Sequence, residues 1–180
     1  MEIVKTKISD LYIIKPTVFE DHRGYFFESY NKQEFIRLGI DQNFVQDNES
    51  MSQKGVLRGL HFQSPPFAQG KLVRVMQGSV LDVALDIRKA SPTYGEWVAV
   101  ELNQKNKWMY WIPPGFAHGF VALEDNTVFF YKCTSVYNKE SEGSIRWDDP
   151  TLNISWQTEN PILTERDKKS PLFADFVSPF

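Results

Sequence analysis

The sequence predicts an all-β fold, a sandwich or a barrel, with only short helices around it. From Asn43 onward, short apolar runs are separated by turn residues, a spacing typical of many short strands. Within two of these runs, strict alternation assigns successive side chains to opposite faces of a strand. No repeat of fixed period and no low-complexity segment is visible. The predicted strands are Phe44–Gln46, Val56–Gln63, Lys71–Met76, Val80–Ile87, Glu96–Leu102, Lys107–Ile112, His118–Leu123 and Thr127–Thr134.

Length and charge limit the organisation and the partners of the chain. At 180 residues, of which 42% are hydrophobic, the chain can bury one core and does not require two, so we expect a single domain over residues 1–180. The formal net charge is -3, and the lysines and arginines are scattered. This charge pattern argues against nucleic acid or an anionic membrane as a partner.

Cysteine content and the first residues indicate the compartment. Cys133 is the one cysteine, so no internal disulfide can form and a cysteine-based metal site is excluded. Residues 1–10 lack the apolar core of a signal peptide, and no stretch approaches a membrane span. We therefore expect a soluble protein of the reducing cytoplasm.

Two strands and a turn are predicted near the N-terminus. Leu11–Val18 is apolar but contains Pro16, which favours a sheet edge or a strand start. The polar segment Asp21–Gly24 predicts a hairpin turn, and the aromatic run Tyr25–Tyr30 predicts the strand that follows it.

Helices are predicted in two places. Asn31 begins a capping-box pattern, so we expect a short helix over Lys32–Leu38. The tail, Asn138–Phe180, is polar and interrupted by prolines, and is expected to hold one or two short helices. Trp147 and Trp156 should pack this tail against the rest of the protein.

The predicted strand Val56–Gln63 places His61, one of three histidines, in an apolar run. Burying an imidazole among apolar side chains costs free energy unless a partner satisfies it. His61 is therefore either a hydrogen-bonded core residue or a general base, since its unperturbed pKa lies near neutrality.

Four more polar side chains lie on strands, and each has two interpretations. Lys71 shares a face with two valines, and is either a strand-end lysine that reaches water or a lysine of a polar interior. Asp82 and Asp86 share one face of their strand, which is either a polar barrel interior or a solvent face. Tyr131 shares a face with aromatic neighbours and is either a packing residue or a phenolic proton donor.

The segment Pro113–His118 has the Pro-x-Gly-x-x-His spacing of the second cupin motif, which delivers a histidine to the mouth of a jelly-roll barrel. Cupins commonly hold iron or manganese through several histidines and a glutamate. The first cupin motif needs His-x-His and a nearby acid, whereas here His61 is followed by Phe62 and Gln63. We therefore expect no bound metal.

A barrel with these side chains and no metal suits proton transfer at a carbon next to a carbonyl. Such a carbon is weakly acidic, so a cation must stabilise the enolate as a base removes the proton. His61, Lys71 and Tyr131 could act as base, enolate stabiliser and acid without a cofactor.

Several blocks of the sequence, in order and over most of Leu11–Asp167, resemble the dTDP-4-dehydrorhamnose 3,5-epimerase family. The blocks are Asp21–Glu28, Gln46–Ser50, Val56–Gln63, Gln69–Arg74, Pro114–Phe120 and Tyr131–Thr134.

The resemblance implies an all-β, cupin-type jelly-roll barrel and a homodimer with exchanged N-terminal strands. It implies inversion of C3 and C5 of dTDP-4-dehydro-6-deoxy-D-glucose without a cofactor. The family's catalytic residues correspond to His61 (base), Asp167 (its carboxylate partner), Lys71 (enolate stabiliser) and Tyr131 (acid). Its nucleotide and sugar contacts correspond to Arg23 and Glu28, both reaching the partner subunit's pocket, and to Gln46, Asn48, Arg58, His118, Glu142 and Arg166. Thr164 and Arg166 replace the family's serine and lysine.

Arg58 and His61 are three residues apart, so a regular strand would point them to opposite faces. If both line one pocket, the strand must break its alternation, and Gly59 is the position where a bulge is easiest. We therefore predict an irregularity at Gly59.

Three alternatives to the double epimerase remain at this point. A mono-epimerase would act at C3 or C5 only, and Tyr131 favours the double reaction. A metal-dependent cupin oxygenase and a sugar-binding cupin without turnover belong to other classes of protein.

Overall fold

A computed structural model describes all residues from Met1 to Phe180. The protein is built mainly from thirteen β-strands, with short helical segments at the periphery. The strands are β1 (Glu2–Lys5), β2 (Tyr12–Lys15), β3 (Phe19–Asp21), β4 (Gly24–Phe26), β5 (Gln46–Ser52), β6 (Leu57–Gln63), β7 (Lys71–Gln77), β8 (Ser79–Asp86), β9 (Trp97–Asn103), β10 (Met109–Ile112), β11 (Phe116–Ala122), β12 (Thr127–Cys133) and β13 (Glu142–Ser144). The helices are α1 (Lys32–Arg37) and α2 (Glu165–Lys168), with 3-10 turns at Lys139–Ser141 and Phe173–Asp175.

Two antiparallel sheets face each other. One has six strands in the order β1-β2-β10-β7-β12-β5, and the other has five in the order β13-β6-β11-β8-β9. Apolar side chains from both sheets pack into one core, including Val73 and Phe129 from the first and Ala84 and Phe120 from the second. The all-β, cupin-type jelly-roll prediction is confirmed, and the barrel interior lies between these sheets.

The outer faces of both sheets are also covered. Phe35 of α1 packs on the six-stranded sheet beside Trp111. The C-terminal tail packs on the five-stranded sheet through Ile145, Leu152 and Trp156, as predicted for this segment. No helix in the structure has the length and apolar character needed to cross a membrane.

The predicted elements from Val56 to Thr134 are all present, with bounds shifted by one or two residues. The helix at Lys32 is also confirmed, because the Asn31 side chain accepts hydrogen bonds from Gln33 N and Glu34 N. The edge-strand prediction for Leu11–Val18 is wrong in part. β2 lies between β1 and β10, and it ends at Lys15, immediately before the proline.

Two other N-terminal predictions needed correction. The hairpin turn is present, but the strand after it ends at Phe26 instead of Tyr30. The run at Phe44 is not a strand, since β5 begins at Gln46 and continues to Ser52. β5 was missed because it is polar on both faces, so hydrophobic alternation does not reveal it.

The irregularity predicted at Gly59 is confirmed. In the pairing of β6 with β11, His61 lies opposite His118 and Arg58 lies opposite Phe120, so the register shifts between them. Gly59 has a φ of 145°, and a Cβ atom there would lie 2.5 Å from the Cα of Gly119. Only glycine fits at this position without a steric clash. The bulge turns Arg58 and His61 toward one cavity.

Candidate active site

One cavity of about 310 Å³ opens between the two sheets. Strands from both sheets and the α2 segment contribute to its wall. Its lining residues are Ser50, Arg58, His61, Lys71, His118, Phe120, Phe129, Tyr131, Thr164, Arg166 and Asp167. All four predicted catalytic positions therefore meet in one cavity, although the sequence separates the outermost two by more than half of the chain.

His61 is held by a carboxylate from the tail. Its Nε2 lies 2.6 Å from Oδ1 of Asp167, and its side chain is half-buried. Burial by itself raises the pKa of Asp167, but hydrogen bonds from His61 and Thr164 and the Arg166 charge lower that pKa overall. The anionic carboxylate thus accepts the Nε2 proton, which leaves Nδ1 of His61 as the basic nitrogen.

Lys71 lies on the inward face of β7, where Val73 and Val75 join the core. Its ammonium group lines the cavity, 5.9 Å from the centre of the Tyr131 ring. Burial lowers the pKa of Lys71, while the nearby Cys133 and Asp82 oppose this shift. The structure therefore supports the interpretation as an interior lysine over the strand-end alternative.

A second histidine and carboxylate form a buried pair beside the first. Nε2 of His118 lies 3.0 and 2.9 Å from the two oxygens of Asp82. Burial lowers the pKa of His118, although Asp82 acts in the opposite direction. Asp82 is fully buried and faces the barrel interior, so its strand face is not a solvent face.

Tyr131 lies on β12 and packs against the core next to Phe129. Burial raises the pKa of Tyr131, whereas the Arg58 charge lowers it. The phenol is therefore protonated near neutral pH and can donate. Arg58 is fixed by hydrogen bonds to Ser52 Oγ, at 3.2 Å, and to the Met51 carbonyl, at 3.4 Å.

The mouth of the cavity carries a polar cluster. Nη1 of Arg166 donates to Oε2 of Glu142 at 2.6 Å, and the Tyr137 hydroxyl donates to the same oxygen at 3.0 Å. Sequence reasoning missed Tyr137, because a tyrosine in a polar tail has no distinguishing pattern. It also missed the contact of Thr164 with Asp167, although Thr164 begins a capping pattern that could have revealed it.

Five predicted site residues lie outside the cavity lining, namely Glu142, which contacts Arg166, and Gln46, Asn48, Arg23 and Glu28. Gln46 and Asn48 are bonded to each other at 3.0 Å on β5, and Asn48 lies opposite Tyr131 in the sheet. Arg23 is exposed on the β3–β4 turn and pairs with Asp21, and Glu28 accepts a hydrogen bond from Asn31. Within one chain, the hairpin does not bring Arg23 or Glu28 to the cavity.

The arrangement combines a carboxylate-held imidazole, a buried ammonium and a protonated phenol around one space. These groups can remove a proton from carbon, stabilise the resulting oxyanion and return a proton. No three histidine, cysteine, aspartate or glutamate side chains in the structure are arranged to hold a metal ion.

Comparisons with known proteins agree on one family. A family model described as dTDP-4-dehydrorhamnose 3,5-epimerase matches residues 5–175. The dTDP-4-dehydrorhamnose 3,5-epimerase of Salmonella typhimurium is 54% identical, over 96% of this chain and 95% of that protein.

Solved structures give the same result. The crystal structure of dTDP-4-dehydrorhamnose 3,5-epimerase from Elizabethkingia anophelis has a TM-score of 0.93 and 51% identity, covering 97% of both chains. A 3,5-epimerase from Legionella pneumophila, solved with dTDP-4-keto-L-rhamnose, has a TM-score of 0.94 and 49% identity, covering 98% of this chain and 94% of that one.

Proposed function

The chain belongs to the dTDP-4-dehydrorhamnose 3,5-epimerase family of isomerases, and on this premise we propose that it inverts C3 and C5 of dTDP-4-dehydro-6-deoxy-D-glucose. The product would be dTDP-4-dehydro-L-rhamnose. The observation that carries the proposal is the position of the base and the acid. His61 projects from β6 of one sheet and Tyr131 from β12 of the other, across one cavity.

The first proposed step is removal of a proton from carbon. Nδ1 of His61 takes the proton from C3 or C5, and the electron pair of that bond moves toward the C4 carbonyl to form an enolate. Asp167 stabilises the imidazolium through its 2.6 Å contact with Nε2. Lys71 stabilises the oxyanion, and because the site is partly shielded from water, this interaction is stronger than in bulk solvent.

The second proposed step returns a proton to the opposite face of the sugar. Tyr131 donates its phenolic proton to the carbon, and the enolate collapses to the ketone with inverted configuration. Solvent then restores the proton on Tyr131 and removes one from His61, so atoms and charges balance. All the groups required belong to the protein, and the proposed reaction needs no cofactor.

The nucleotide part of the substrate would occupy the cavity mouth. Arg58 and Arg166 supply positive charge for a diphosphate, which guanidinium groups bind well. The proposed polar contacts to nucleotide and sugar are Gln46, Asn48, His118 and Glu142. Nothing in this assignment requires nucleic acid or a membrane.

A homodimer would supply the remaining contacts. Phe19, Tyr25 and Phe26 of the β3–β4 hairpin are exposed, which is unusual for neighbouring aromatic side chains and is typical of an interaction surface. If the hairpin packs on a second copy, it would carry Arg23 and Glu28 to that copy's cavity.

The test is hydrogen exchange in deuterated water. The enzyme is incubated with dTDP-4-dehydro-6-deoxy-D-glucose, and deuterium is located by NMR. We expect label at both C3 and C5, a large loss in His61→Ala, and no loss in the control Lys89→Ala, whose side chain is exposed and lies outside the cavity. Label at one carbon only would identify a mono-epimerase, and no label with any dTDP-4-keto sugar would refute the proposed reaction.

A further inference from the structure

Thr164 makes two separate hydrogen bonds to Asp167. Its Oγ1 accepts from the Asp167 backbone N at 3.2 Å, which is the usual role of a helix N-cap residue. The same hydroxyl donates to Oδ2 of Asp167 at 2.8 Å. The cap requires only the first bond, because an N-cap side chain acts as an acceptor.

The two oxygens of the Asp167 carboxylate therefore have different partners. Oδ1 faces Nε2 of His61, and Oδ2 is held by the Thr164 hydroxyl. Asp167 is buried, so each contact fixes the plane of the carboxylate where water cannot compete for it.

From this geometry we propose that Thr164 is a positioning residue that holds Asp167 in the orientation His61 needs. The inference rests on the proposed function, in which His61 is the base. Thr164 touches the carboxylate and acts on the reaction only through it. Its hydroxyl is also one of the causes that keep the pKa of Asp167 low.

The charged and titratable groups around Asp167 come from several elements. Those that face it or the same cavity are His61 and Arg58 on β6, Arg166 on α2, Lys71 on β7, His118 on β11 and Tyr131 on β12. None of them contacts Oδ2 of Asp167 in the structure. Removal of the Thr164 hydroxyl would leave that oxygen without a protein donor.

A comparable threonine-to-aspartate hydrogen bond lies outside the cavity, although Oδ2 of Asp86 also accepts from Ser91 and Arg88. Oγ1 of Thr93 donates to Oδ2 of Asp86 at 2.7 Å, and Asp86 is fully buried. Neither residue lines the cavity. Thr93→Val therefore removes a similar hydroxyl-to-carboxylate bond at a site that the proposed reaction does not use.

The experiment compares Thr164→Val, Thr164→Ser and Thr93→Val by kcat, KM and the pH dependence of epimerisation. In Thr164→Val we expect kcat to fall roughly 10- to 100-fold with little change in KM. Asp167 should become harder to ionise, so the acid limb of the pH profile should move to higher pH. Thr164→Ser should restore both properties, and Thr93→Val should change neither.

A second measurement needs neither substrate nor turnover. The Asp167 carboxyl carbon is titrated by carbon-13 NMR, and its midpoint should rise in Thr164→Val but not in Thr164→Ser. If Thr164→Val does not fold, Thr164→Gly replaces it, since glycine is a tolerated N-cap residue. An unchanged midpoint and an unchanged pH profile in an active enzyme would refute the role of Thr164, whereas inactivity of the unmodified protein would refute only the proposed function.

Discussion

The protein contains two histidine–aspartate pairs that lie side by side and differ in exposure. His61 and His118 are direct partners across the β6–β11 pairing, yet each contacts its own carboxylate. The His61 side chain is 28% exposed, whereas His118 is 8% exposed and its partner Asp82 is 0% exposed.

We expect this difference in exposure to give the two histidines different roles. Burial lowers the pKa of His118, which favours the neutral imidazole. His118 and Asp82 together form a buried, hydrogen-bonded part of the cavity wall. His61 lies at the cavity surface, where it can take a proton from a substrate and release it to solvent. In the proposed mechanism, the same pair of residue types therefore has two functions, and exposure to solvent distinguishes them.

The largest expected effect comes from removing each histidine in turn. His61→Ala should reduce deuterium exchange about 10²- to 10⁴-fold, the range that a general base contributes. His118→Ala should act mainly on KM and stability, with a smaller loss in kcat. The measurement is exchange in deuterated water with saturating substrate. Equal losses of kcat in the two variants would remove the distinction between the pairs.

The second-largest effect is expected where the backbones of β6 and β11 approach each other, which places the two histidine–aspartate pairs side by side. A Cβ atom on Gly119 would lie 2.8 Å from the Arg58 carbonyl oxygen and 2.9 Å from the Gly59 Cα. Gly119→Ala should therefore force β6 and β11 apart and lower the free energy of unfolding by about 1 to 3 kcal/mol. Denaturant unfolding measures this change.

Gly39→Ala is the control for Gly119→Ala, because a Cβ at Gly39 meets no atom within 4 Å. Its cost should come only from its positive φ of 86°. If Gly119→Ala is as stable as the unmodified protein, the close approach of the two strands is not essential.

A smaller effect is expected from Asp82→Asn. Burial lowers the pKa of Lys71, and the charges of Cys133, Asp82 and Glu142 oppose that shift. Without the Asp82 charge the pKa of Lys71 should fall further. Because the proposed mechanism needs the ammonium form of Lys71, activity should then be lost at a lower pH on the alkaline side.

The pH dependence of kcat measures the Asp82 effect. Asp41→Asn, a change at an exposed carboxylate paired with Lys32, should leave the alkaline limb in place. An alkaline limb unchanged in Asp82→Asn would show that the buried pair does not influence Lys71.

The smallest effect is expected at the cavity mouth. Arg166 is 51% exposed, and ion pairs at such exposure contribute little. Arg166→Lys keeps the charge but loses the planar donor group, so KM should rise less than about tenfold with kcat unchanged. A large fall in kcat would contradict this expectation and would assign Arg166 a role in the chemical step. Steady-state kinetics distinguishes these outcomes.

Much of the barrel was predictable because its strands carry a pattern of period two. Alternation correctly placed Lys71, Val73 and Val75 on one face of β7, and Asp82 and Ala84 on one face of β8, but it left open whether those faces point inward. β5 carried no such signal, since its exposed face holds Asp47, Glu49 and Met51 and its inward face holds only amide and hydroxyl side chains.

The sequence by itself determined the β-rich architecture, which strand side chains share a face, and that a bulge near Gly59 is needed if Arg58 and His61 line one pocket. The family resemblance implied Asp167 as the partner of His61, whereas only the tertiary structure showed that Asp82 contacts His118. Asp167 lies far along the chain from His61, and Asp82 comes from a neighbouring strand, so no local spacing encodes either pair. Their burial was likewise decided in three dimensions, because exposure depends on what the remaining chain places over each side chain.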